Sequence, residues 1–248
     1  MSKVILITGS SRGIGAATAM LAAQKGFSLC LNYHQSKAAA EALLDKVKAL
    51  GCNAISCQAD IADEADILSM FDTIDSHFGR LDGLVNNAGI LEAQSDLVDM
   101  DAGRWRRILE INVIGSFLCA REAIKRMSTQ HGGNGGSIVN LSSRASTLGA
   151  AHEYVDYAAS KGAIDSMTIG LAKEVADQGI RVNAVKPGLI YTDIHADSGE
   201  PGRVDRLKSA VPMQRGGSAT EVAEAILWLL SEASSYTSAS FIDVSGGR

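Results

Sequence analysis

The sequence predicts an α/β chain built as a doubly wound parallel sheet with helices on both faces. Seven short β-leaning runs alternate with helical patterns from one end to the other, which is the mark of successive β-α-β units. The strand cores are short and largely apolar, as befits strands buried on both sides. The first run also passes through a glycine-rich turn directly into a helix.

The elements follow in order. VILI gives a strand over Val4–Ile7, and the alanine-rich stretch Gly13–Lys25 a helix. SLCLN gives Ser28–Asn32, and Lys37–Leu50 is dense in alanine, leucine and lysine. The next strands are Ala54–Gln58 and Gly83–Asn86, with a helix over Glu64–His77 between them. A long helix over Ala102–Met127 leads to Ser137–Leu141, and Val155–Asp177 to Arg181–Val185. Thr220–Leu230 and the strand Ser240–Val244 complete the set. With no Pro-rich or Ser-rich linker, residues 1–248 read as a single domain. Its polar segment 193–217 carries Gly199, Pro201, Gly202 and Pro212 and reads as a substrate lid or, equally, as a surface excursion.

The 248 residues are 46% hydrophobic and 21% charged, with a formal net charge of −5. That balance argues against nucleic acid or an anionic membrane as a partner. Cys30, Cys52, Cys57 and Cys119 show no metal-ligand spacing and read as free thiols. MSKVILITGS has too short an apolar run for a signal peptide, and no run approaches a membrane span. A cytoplasmic protein is expected.

In TGSSRGIG, glycines 9, 13 and 15 let the chain turn tightly and let a phosphate approach a helix N-terminus. Between a strand and a helix, this cluster marks a dinucleotide site, and the missing Lys-Ser or Lys-Thr argues against a P-loop. An acid at the end of the second strand would hold ribose hydroxyls. LCLNYHQSK has none, while Arg12 lies in the turn and His34 and Lys37 are near. Positive charge without a nearby carboxylate favours a 2′-phosphate, so NADP(H) is the expected cofactor and NAD(H) the alternative.

The ordered motifs resemble the short-chain dehydrogenase/reductase family over nearly the whole chain, and within it bacterial oxidoreductases labelled glucose 1-dehydrogenase-like. TGSSRGIG resembles the family's T-G-x-x-x-G-x-G, Asp60-Ile61 its adenine-side pair, and Asn86-Asn87-Ala88-Gly89 its N-N-A-G. Asn112 stands within INV as the family's helix asparagine does, and LSS at 141–143 resembles the strand carrying its serine. Tyr157 and Lys161 match Y-x-x-x-K, and Pro187-Gly188 with Ile190 and Thr192 resembles the loop around nicotinamide. The resemblance implies a Rossmann fold and a homotetramer. It implies a cofactor site formed by Thr8, Gly9, Ser11, Arg12, Gly13, Ile14, Gly15, Asn32, Tyr33, His34, Asp60, Ile61, Asn87, Ala88, Gly89, Tyr157, Lys161, Pro187, Gly188, Ile190 and Thr192. Two departures stand out. The gap from Ser143 to Tyr157 is one residue longer than usual, leaving Ser142 as a competitor for the serine's role. SYTSASFIDVSGG lacks the glycine often found before the last strand.

Carbonyl reduction needs a proton donor, a polar partner for the oxygen and a positioned cofactor. Tyr157 is the candidate acid/base, with an unperturbed pKa of about 10. Lys161, one turn on, together with the positive nicotinamide ring of the oxidised cofactor, would favour the phenolate, Ser143 would hold the substrate oxygen, and Asn112 would support a proton-relaying water chain. A small carbonyl or secondary alcohol is the expected substrate. A non-catalytic NAD(P)-binding regulator is the alternative, and an epimerase or dehydratase would ordinarily need a longer chain. Tyr154, Trp105, Trp228 and Phe117 read as packing. His77, His131 and His195 have no evident partner, and Arg203, Arg206 and Lys208 read as solvated surface charge.

Overall fold

The computed structural model describes residues 2–248. Its main sheet contains seven parallel strands. In chain order the elements are β1 (Val4–Ile7), α1 (Gly13–Gln24), β2 (Ser28–Tyr33), α2 (Lys37–Ala49), β3 (Ala54–Gln58), α3 (Glu64–Phe78) and β4 (Gly83–Asn86). There follow α4 (Ala102–Leu109), α5 (Gly115–Met127), β5 (Gly136–Leu141), α6 (Ala145–Leu148), α7 (Val155–Glu174) and β6 (Ile180–Pro187). The chain closes with β7 (Ile190–Tyr191), α8 (Ile194–Asp197), α9 (Arg203–Leu207), β8 (Gly217–Ser218), α10 (Ala219–Leu230) and β9 (Phe241–Val244).

The spatial order β3-β2-β1-β4-β5-β6-β9 reverses direction between β1 and β4. Doubly wound sheets open a crevice at such a switch point, above the carboxyl ends of the strands. Strand alternation divides the core in two. Leu6 packs with Phe71, Met127 and Ile164 on one face, while Ile5 and Ile7 pack with Ala19, Val47 and Ile226 on the other. Caps fix where helices begin. Asp63 accepts from the amides of Ala65 and Asp66 ahead of α3, and Ser218 and Glu221 form a reciprocal capping box ahead of α10.

Four expectations change. The helix expected over Ala102–Met127 is interrupted by a wide π-helical turn, Glu110–Ile114; such turns insert a residue without ending the helix and gather at functional sites. The helix expected to reach Asp177 stops at Glu174, before a tight turn and Gly179 at φ 75°. The polar segment 193–217 holds α8, α9 and a further turn, and Arg203 within it is buried rather than solvated. The turn before β9 places Ala239 at φ 56°, where a glycine would be unstrained.

Candidate active site

The glycine turn leaving β1 closes one end of the crevice. A Cβ on Gly9, at φ 60°, would lie 2.9 Å from the Ala88 Cα. One on Gly15 would lie 2.6 Å from Asn87 Nδ2. Only bare backbone fits here. Three of the expected site residues build this turn and spend their side chains on protein. Asn32 Oδ1 accepts from the Gly9 amide at 3.1 Å and its Nδ2 donates to the Ala59 carbonyl at 3.0 Å. Asn87 Nδ2 donates to the carbonyls of Thr8 and Gly9 at 2.8 and 3.0 Å. The Thr8 hydroxyl accepts from the amides of Asn87 and Ala88, both at 3.0 Å. Thr8 and Gly15 therefore stand behind the wall of the crevice, whereas Gly9, Ser11, Arg12, Gly13 and Ile14 line it.

The crevice encloses about 550 Å³ and runs from this turn to Tyr157. Asn32 and Tyr33 at the end of β2, His34 just after it, and Asp60 and Ile61 beyond β3 line it, with Asn87, Ala88 and Gly89 beyond β4. Pro187, Gly188, Ile190 and Thr192 line it after β6. The basic groups at its mouth are not free of carboxylates, contrary to expectation. Arg12 pairs with Asp197 of α8, and His34 Nε2 lies 3.6 Å from Asp60. Both acids come from distant parts of the chain, so the run 29–37 could not reveal them.

At the other end stand Ser143, Tyr157 and Lys161. Lys161 is buried and Tyr157 half-buried, four residues apart on α7. Burial pushes the phenol up to about 12, and a hydrogen bond from Ser143 opposes that rise. Burial pushes the Lys161 ammonium down to about 8, with Asp165 opposing. In the protein alone, desolvation outweighs the Ser143 contact that opposes it. Lys161 Nζ donates to the Leu141 carbonyl at 2.7 Å, its one hydrogen bond among the described residues.

The two serines divide cleanly. The Ser142 hydroxyl donates to Asp165 Oδ1 at 2.6 Å, and Asp165 also meets Lys186 Nζ at 2.8 Å. Ser143 Oγ accepts from the Ala145 amide at 3.1 Å and stands near enough to the Tyr157 phenol to lower its pKa. In the loop between Ser143 and Tyr157, Ala150 and His152 take φ 49° and 60°. Asn112 lies in the π-helical turn. Its Oδ1 accepts from the Ile90 amide at 2.8 Å, and its Nδ2 donates to the Ile90 carbonyl at 3.0 Å and to Ser160 Oγ at 3.2 Å.

Several wall residues had no assigned role in the sequence. Glu153, Tyr154, His195 and Arg203 all line the crevice. Arg203 Nη1 donates to Glu153 Oε1 at 2.9 Å and to Glu200 Oε2 at 3.2 Å. A basic residue near an acidic one fifty positions away carries no pattern that sequence reading can detect.

The residues fit a dinucleotide. The side-chain-free glycine turn leaves room for phosphates, and a buried lysine with one partner stands at the far end. No group of acids, histidines or cysteines among the described residues could hold a metal ion, and no helix there is long and apolar enough to cross a membrane.

Residues 9–248 match a family model described as enoyl-(acyl carrier protein) reductase. The chain is 57% identical over 245 residues to the uncharacterized oxidoreductase YgfF of Escherichia coli strain K12, covering 99% of both. It is 37% identical to glucose 1-dehydrogenase 2 of Bacillus subtilis strain 168, covering 99% of this chain and 94% of that one. The crystal structure of a short-chain type dehydrogenase/reductase from Mycobacterium marinum superposes with a TM-score of 0.92 at 32% identity, over 99% of this chain and 94% of that one. With the doubly wound sheet, the glycine turn and the tyrosine–lysine pair, these likenesses establish that the chain belongs to the short-chain dehydrogenase/reductase family of NAD(P)-dependent oxidoreductases.

Proposed function

We propose that this enzyme prefers NADP(H) and interconverts a carbonyl and a secondary alcohol, with Tyr157 as the acid/base. The observation that carries this reading is the meeting of Ser143, Tyr157 and Lys161 at one end of a crevice whose other end is the glycine turn. The bound nicotinamide supplies or accepts the hydride. In reduction the Tyr157 hydroxyl, neutral at pH 7 because burial holds its pKa high, gives its proton to the substrate oxygen. Ser143 turns its hydroxyl to the same oxygen. Lys161 offers its remaining donors to the nicotinamide ribose and returns protons to Tyr157 by way of a water chain beside Asn112.

Gly9, Ser11, Gly13 and Ile14 would take the pyrophosphate, and Asp60 with Ile61 the adenine. Ala88 and Gly89 would back the ribose, while Pro187, Gly188, Ile190 and Thr192 would surround the nicotinamide. Arg12 and His34 support the 2′-phosphate, for which Arg12 must leave Asp197. Segment 193–217 acts as the lid. A cytoplasmic homotetramer is proposed with these assignments, since Trp105, Leu109 and Phe117 expose apolar surface on α4 and α5 and Trp228 does so on α10.

Oxidation of NADPH and NADH, followed by absorbance across sugars, steroids, acyl thioesters and small ketones, tests the reading. Turnover of at least one carbonyl, faster with NADPH and lost in Tyr157→Phe, is expected. Tight cofactor binding without turnover of any compound would instead indicate a nucleotide-binding regulator.

A further inference from the structure

Among the described residues, two buried side-chain polar atoms have no hydrogen-bond partner: the Tyr154 hydroxyl and His195 Nδ1. Both residues line the crevice that contains Tyr157. Buried polar groups are ordinarily paired, because an unpaired one gives up its water for nothing. Two such atoms on the wall of one crevice mark a place that a ligand completes.

Arg203 links them. Its guanidinium carbon lies 4.9 Å from the centroid of the Tyr154 ring. Burial first, and the Arg203 charge second, lower the pKa of His195, so the imidazole is neutral at pH 7. Arg203 itself is engaged by Glu153 and Glu200. What stays unpaired is a phenolic O–H, which donates and accepts, and one nitrogen of a neutral imidazole, which does one or the other according to tautomer. No unengaged cation faces a ligand anion there, and the carboxylates of Glu153 and Glu200 would repel one. An alkyl chain would leave both atoms unpaired. A ligand hydroxyl satisfies either.

We propose that Tyr154 and His195 form a subsite for a hydroxyl of the substrate, so that the preferred substrate is a neutral hydroxylated carbonyl compound or polyol. Tyr154 opens α7 and Tyr157 lies in its first turn, which sets the hydroxyl close to the reacting carbon. His195 belongs to α8 in the lid, so the hydroxyl is held between the catalytic helix and the lid rather than on an open face.

The inference rests on the carbonyl–alcohol reading above, and matched substrates separate the two. The measurement is kcat/KM with NADPH for acetoin against butanone, dihydroxyacetone against acetone, and glyceraldehyde against propanal. Sites built to bond a substrate hydroxyl reject analogues that lack it, so the wild type should favour each hydroxylated member by about tenfold or more. That ratio should collapse towards one in Tyr154→Phe and in His195→Leu. The melting temperature of Tyr154→Phe should not fall, since no hydrogen bond within the protein is lost. Turnover with equal kcat/KM within each pair, or an undiminished ratio in both variants, would overturn the subsite and leave the reaction class standing. Absence of turnover for every pair would defeat the carbonyl–alcohol reading and the subsite with it.

Discussion

Lys161 Nζ lies 5.5 Å from the centroid of the Tyr157 ring and hydrogen-bonds the Leu141 carbonyl at the end of β5. Sequence spacing puts both residues on one side of α7, but the strand end sets where the ammonium rests. Tyr154 has Ala158 four residues after it, and the cation over its ring is Arg203, which Glu153 and Glu200 engage.

Tyr157→Phe should therefore lose roughly 10²–10⁴ in kcat, the usual worth of a positioned proton donor, while still binding NADPH. Tyr154→Phe should keep substantial turnover, with its effect concentrated in substrate discrimination. Steady-state kinetics on one confirmed substrate, beside fluorescence titration of NADPH, decides the matter. An inactive Tyr154→Phe with an active Tyr157→Phe would reverse the assignment.

The pH profile should reflect the lysine. Burial holds Lys161 near a pKa of about 8, so it carries its charge below that pH and loses it above. The Tyr157 phenol, at about 12, stays protonated across the same range. The kcat/KM for reduction should fall as pH rises through about 8. Asp165→Asn removes the carboxylate that opposes the shift, so the falling limb should move to lower pH. A profile flat through this region, or a limb moved upward by Asp165→Asn, would contradict this account.

Arg12→Ala should weaken NADPH binding selectively. A charge-assisted contact to phosphate contributes about 1.5–3 kcal/mol, so a loss of about tenfold or more is expected for NADPH and little for NADH. Asp197→Asn should act in the opposite sense, because it frees Arg12 from its partner in α8. Calorimetric titration of both cofactors reads both effects, and equal losses for the two cofactors in Arg12→Ala would remove the 2′-phosphate assignment.

Ala239→Gly should raise stability. Ala239 sits at φ 56°, where a Cβ costs about 1–2 kcal/mol and a glycine gives back about 0.5–1 kcal/mol in unfolded-chain entropy. A net gain of up to about 1 kcal/mol should appear as a higher melting temperature. A lower one would mean that the Ala239 methyl packs usefully against the core cluster it borders.

The sequence by itself determined the layered sheet, the glycine turn and the Tyr157–Lys161 pair. These rest on local periodicity and on short motifs, where a few neighbouring residues carry the whole physical reason. Val4–Ile7 is legible because four apolar residues in a row have to be covered on both sides. The tertiary structure decided what depends on partners distant in the chain. It turned Ser142 to Asp165 and left Ser143 beside the Tyr157 phenol, which their adjacent positions could not distinguish. It gave Arg12 a carboxylate from α8 and buried Arg203 against Glu153. It also raised the pKa of Tyr157, because desolvation is a property of the folded surroundings and not of the tyrosine's neighbours in sequence.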